Sequence, residues 1–110
     1  MTQAEHALVE RMAVWIKSFS WKLNDYATDA ELDITIAGIA RGSDQTLAEC
    51  FDVDGVNERV VRALVEKKVA QFEDAFTIEE LDWNFENITN GSGRQDREIH
   101  IFAAIHLAES

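Results

Sequence analysis

Ile99-His100-Ile101-Phe102-Ala103-Ala104-Ile105-His106-Leu107 is the stretch on which the fold turns. Its period is two, the period of a β-strand, whose side chains alternate between faces. Ile99, Ile101, Ala103, Ile105 and Leu107 share one side; His100, Phe102, Ala104 and His106 share the other. Upstream, Leu81, Trp83 and Phe85 alternate with Asp82, Asn84 and Glu86 in the same way. Between the two lies a loop, Thr89 to Asp96, rich in Asn, Gly and Ser. Two alternating runs flanking turn residues predict a hairpin.

Further out, Val60, Val61, Leu64, Val65, Val69, Phe72 and Phe76 form one apolar side of a helix, with Arg59, Arg62 and Lys67 away from it. Asp54 stands where a carboxylate would cap that helix. Leu47, Glu49, Phe51 and Val53 alternate with Ala48, Cys50 and Asp52, which predicts a strand, with a short helix as the competitor. Arg41-Gly42-Ser43-Asp44 is turn chemistry, and Leu32, Ile34 and Ile36 alternate with Asp33 and Thr35 as a further strand. Thr2-Gln3-Ala4-Glu5 has the form of a capping box. Leu8, Met12, Trp15 and Phe19 follow at helical spacing, widened by Val9 and Ile16. Residues 18–24 fit either pattern. Trp21 tips them toward a strand, where it stands beside Phe19 and Leu23. Asn24 to Asp29 is a polar turn. The expected architecture is a single α+β domain over residues 1–110, in the order α-β-β-β-α-β-β. Consecutive hairpins imply a mainly antiparallel sheet with two helices packed on one face.

The 110 residues carry 21 acids against 10 Lys and Arg, a formal charge of −11. That balance argues against direct nucleic-acid binding, which uses basic patches, and against docking on an anionic membrane. The apolar runs Ile36–Ala40 and Ile101–Ile105 are too short to span a bilayer. The first residues, Met-Thr-Gln-Ala-Glu-His, lack the features of a secretory signal. One cysteine, Cys50, cannot pair within the chain. Together these predict a cytoplasmic protein with Cys50 as a core thiol. The acids fall in two windows. From Asp25 to Glu58 there are nine acids and one base, Arg41; from Glu73 to Glu86 there are six acids and no base. The bases gather at Arg11, Lys17 and Lys22, at Arg59, Arg62, Lys67 and Lys68, and at Arg94 and Arg97. Solvated surface that keeps a protein soluble would show the same windows.

Phe51-Asp52-Val53-Asp54-Gly55-Val56 resembles the first motif of haloacid-dehalogenase-like phosphatases, an apolar strand ending in Asp-x-Asp-Gly. The resemblance implies Asp52 as nucleophile and Asp54 as acid. It ends after six residues: Val56 stands where those enzymes carry Thr, and about fifty residues remain for their parallel domain. A strand end followed by a helix cap reads the same residues without chemistry. An EF-hand is excluded, because counting from Asp52 puts Gly55 at position 4, Val56 at position 5 and Ala63 at position 12. Thr89-Asn90-Gly91-Ser92-Gly93 lacks the Lys-Ser/Thr pair of a phosphate loop. Asn87-Ile88-Thr89 and Asn90-Gly91-Ser92 are formal glycosylation sequons, read here as loop.

His100 and His106 share a strand face, and one even register places Glu86 opposite His100 and Glu80 opposite His106. Such pairs could seed a His/carboxylate metal site or an acid–base pair; cross-strand polar pairing reads them equally. The two histidines are six strand residues apart, about 20 Å, and cannot share one metal. No cofactor, metal or catalytic set is assigned. His6 has no visible partner.

If both helices cover one face, the other carries Phe102, Ala104 and either Trp21 or Phe51. A partly apolar open face suggests a partner or a homodimer. The function expected is therefore a non-enzymatic, acidic protein-binding module that docks on a basic surface by charge complementarity. Its contact residues would be Asp25, Asp29, Glu31, Asp33, Asp44, Glu49, Glu79, Glu80, Asp82 and Glu86. In size and charge the chain is similar to phage-encoded inhibitors of nucleic-acid-processing complexes, the anti-restriction and anti-CRISPR proteins. In element order and acidity it also resembles class I type III secretion chaperones, although these end on a helix. A virion or tail-assembly subunit fits the same order. An enzyme built on Asp52 and Asp54, or on His100 and Glu86, is the third class.

Overall fold

A computed structural model describes residues 1–40, 55–89 and 95–108. The elements are α1 (Gln3–Val14), β1 (Ile16–Leu23), β2 (Asp29–Ala40), α2 (Glu58–Val69), β3 (Phe76–Thr89) and β4 (Gln95–Leu107). The fold is α+β, in the order α-β-β-α-β-β. The strand expected over Leu47–Val53 lies outside the described residues, as do Asp44, Glu49, Cys50, Asp52 and Asp54.

The four strands form one antiparallel sheet in the order β1-β2-β4-β3. The stretch that decides the fold is thus a central strand, paired with β2 on one side and β3 on the other. Partners in register share a face. Four rows cross the sheet on the helix side: Leu23, Ala30, Ile105 and Ile78; Trp21, Leu32, Ala103 and Leu81; Phe19, Ile34, Ile101 and Trp83; Ile16, Ile36, Ile99 and Phe85. Leu8, Val9 and Met12 of α1 and Val60, Val61, Leu64, Val65 and Val69 of α2 close over these rows and are buried with their β2 and β4 members. A fully buried Leu, Ile or Val side chain contributes roughly 1.5–3 kcal/mol, so this layer dominates stability.

Thr2 caps α1 as its sequence predicts. Its Oγ1 accepts the Glu5 N–H at 3.0 Å, and its own N–H donates to Glu5 Oε1 at 3.0 Å. The second oxygen of Glu5 reaches the other helix, accepting from Asn57 Nδ2 at 2.9 Å and Arg59 Nε at 3.1 Å. Asn57, three residues beyond Asp54, is the N-cap of α2: its Oδ1 accepts the Val60 N–H. One carboxylate therefore serves both helix starts.

Residues 16–23 are strand, as Trp21 indicates. Trp21 faces the helices rather than the open side, in the row with Leu32. Phe72 and Phe76 lie beyond α2, not on it. Phe76 opens β3, while Phe72 stacks on Phe19 at 5.7 Å and on Trp21 at 5.5 Å, with Lys68 Nζ 4.9 Å from the Phe19 centroid. This stack fastens the exit of α2 to the edge strand.

From Glu80 onward the β3–β4 register differs by two residues from the expected one, and before the bulge at Glu79 it differs by three. Glu86 pairs with Glu98, Asn84 with His100 and Thr77 with His106. From Glu80 onward a shift of two keeps every side chain on its face, so burial alone does not distinguish the two registers there. A bulge between Ile78 and Glu80 inserts Glu79 as an extra residue. Among the described residues, no helix is long and apolar enough to cross a membrane.

Candidate functional site

The face of the sheet opposite the helices has no covering element among the described residues. Its rows follow from the same registers: Lys22, Glu31, Ala104 and Glu80; Ser20, Asp33, Phe102 and Asp82; Ser18, Thr35, His100 and Asn84. Glu98 and Glu86 close one end, and Asp29, His106 and Thr77 the other. Asp29, Glu31, Asp33, Glu80, Asp82 and Glu86 thus come together on one surface, exposed to solvent. Glu79 joins them through the bulge. The β2 part of the first acidic window and the β3 part of the second are brought together by β4 between them. Asp25 sits apart, exposed in the turn before β2.

The signs are unevenly matched. On the helix layer acids meet bases: Glu5 with Arg59 at 3.1 Å, Glu58 with Arg62 at 3.3 Å and Glu10 with Lys67 at 2.7 Å. On the open face the described lysines are Lys17 and Lys22. Lys17, at a bulge in β1, reaches Glu98 Oε2 at 2.8 Å. Lys22 is in register with Glu31. The other carboxylates face water, Phe102, Ala104 and two histidines.

The histidines occupy separate ends, as their spacing requires. His100 Nε2 lies 3.3 Å from Glu86 Oε2 and 3.4 Å from Glu98 Oε1, without hydrogen-bond geometry to either. Glu86 is not opposite His100, as the alternation predicts, but one pair along, and reaches it diagonally. Glu98, the buried member, carried no alternation signal of its own. His106 meets Glu79 and Asp29 rather than Glu80: its Nδ1 lies 2.9 Å from Asp29 Oδ1 and 4.0 Å from Glu79 Oε1. A bulge displaces the neighbour by one residue, and no spacing rule reveals it.

Among the described residues, two hollows lie on this face. One of about 110 Å³ is lined by Asp33, Thr35, Asp82, Asn84, His100 and Phe102. The other, about 340 Å³, is lined by Lys22, Asn24, Asp29, Glu31, Glu79 and Ala104. The first is smaller than the usual ligand cleft, the second at its lower end. His100 lines the first of them; Glu86 lines neither. Comparison with known proteins finds no matching family, no matching curated protein and no matching solved structure.

Proposed function

We propose that this chain is a non-enzymatic binding protein that presents the acidic open face of its sheet to a basic surface on a protein partner. One observation carries this reading: carboxylates from two distant stretches, residues 29–33 and 79–86, share a face whose described lysines number only Lys17 and Lys22. Concentrated charge of one sign speeds encounter with the opposite sign and selects against other partners. Phe102 and Ala104 in the middle strand supply a small apolar centre inside a charged rim, the usual anatomy of a protein interface. A groove that binds nucleic-acid phosphates is the kind of surface such a face would occupy. Isologous pairing of two copies through this face would set acids against acids, so a second copy is the weaker occupant.

The test is capture on the immobilised chain from an extract of its native cell at low salt, followed by elution with a salt gradient. A basic protein that binds at 50 mM salt and leaves as screening rises supports the reading. A bound protein that resists 1 M salt, or the recovery of none, contradicts it.

A further inference from the structure

The geometry points to a divalent transition-metal site, best suited to Zn²⁺, formed by Asp29, Glu79 and His106 at one end of the open face. This inference is independent of the protein-binding reading. The three residues come from three neighbouring strands, β2, β3 and β4. Each offers one ligand atom, and these atoms all lie within 4.8 Å of one another. Ligands about 2.0–2.2 Å from one metal stand roughly 3–4 Å from each other, which is the spacing needed here with small side-chain adjustment. The separations from His106 Nδ1, 2.9 Å to Asp29 Oδ1 and 4.0 Å to Glu79 Oε1, bracket that range.

The fold makes a specific local departure to achieve this. Asp29 and His106 are direct cross-strand partners. Glu79 is the extra residue of the β3 bulge, inserted between Ile78 opposite Ile105 and Glu80 opposite Ala104. Bulges re-aim side chains, and this one brings a second carboxylate to the imidazole. The 340 Å³ hollow beside Asp29 and Glu79 leaves room for water to complete the coordination sphere.

The donor chemistry selects the ion. One imidazole and two carboxylates suit Zn²⁺, which accepts N and O ligands in a tetrahedron with an open fourth position. Calcium and magnesium prefer oxygen alone. Two carboxylates balance the ion's charge, while the ion replaces the His106–Asp29 contact. Glu31 and Glu80 nearby add a favourable field for any cation, so selectivity must come from the imidazole.

The test uses the full chain, stripped with chelator and titrated with Zn²⁺ by calorimetry at pH 7 in excess Ca²⁺, with Co²⁺ as a visible-absorption probe. One equivalent of Zn²⁺ is expected, with a Co²⁺ spectrum of tetrahedral type. His106→Ala and Glu79→Gln each weaken Zn²⁺ binding by about tenfold or more, while His100→Ala leaves it unchanged. All three side chains of the site are exposed, so their replacement spares the core; equal melting temperatures of metal-free variants check this. Millimolar affinity in the wild type, binding insensitive to His106→Ala, or binding lost equally with His100→Ala would overturn the site.

Discussion

Glu5 shows how one side chain can hold two elements. The Thr2 N–H, then Asn57, then Arg59 favour its ionised form, and together they hold its carboxyl at about 2 against an ordinary 4.5. A depressed carboxylate adds stability above its unfolded value and loses it as pH falls toward the folded one. The Glu5 contribution is therefore fully present above about pH 4.5 and fades between there and about pH 2. Glu5→Gln should lower stability at pH 7 and flatten the acid limb over that window, read by urea unfolding at a series of pH values. An acid limb as steep as that of the wild type would contradict the assignment. Ala27, in the turn before β2, has a φ of 55°. A Cβ is disfavoured there, so Ala27→Gly should be neutral or stabilise by up to about 1 kcal/mol in the same assay.

Elements are joined by contacts that differ in how well the sequence shows them. Strand alternation in β2 and β4 names the buried face directly, because Leu32, Ile34, Ile36 and Ile99 through Leu107 carry the whole period. Helix α2 is equally plain from Val60 to Val69. Phe72 is not: it prolongs the helical spacing, yet the chain turns after Ala70 and the ring stacks on β1. Its removal by Phe72→Ala should cost about 1–2 kcal/mol through lost burial and ring contact, and should shift the emission of Trp21. An unchanged spectrum would show that the stack does not persist in solution. The register of β3 on β4 was hidden for a different reason. From Glu80 onward two registers bury the same residues, and the bulge at Glu79 is not visible in the alternation. The site residues inherit this: Glu86, Glu80 and Asp82 were legible as outward-facing, whereas the meeting of Glu79 with His106 depends on one inserted residue.

Across the whole molecule, charge is sorted by layer. The helix layer matches Glu5, Glu10 and Glu58 with Arg59, Lys67 and Arg62. The open sheet face gathers Asp29, Glu31, Asp33, Glu80, Asp82 and Glu86. Composition alone shows the acidity, but its convergence needs the strand order: β2 and β3 are far apart in sequence and flank β4 in space. If the open face binds the partner, its placement of charge matters and not the net charge alone. Two variants with the same change of charge separate these. Asp33→Lys with Asp82→Lys inverts the centre of the open face on either side of Phe102; Glu10→Lys with Glu66→Lys makes the same change on exposed positions of the helix layer. The direct measurement is affinity of each double variant for the captured partner at fixed low salt. The account predicts a loss of about a hundredfold or more for the open-face pair and less than about threefold for the helix-layer pair, since only the first sets like charges against a basic surface. Equal losses from both pairs, or a larger loss from the helix-layer pair, would contradict it.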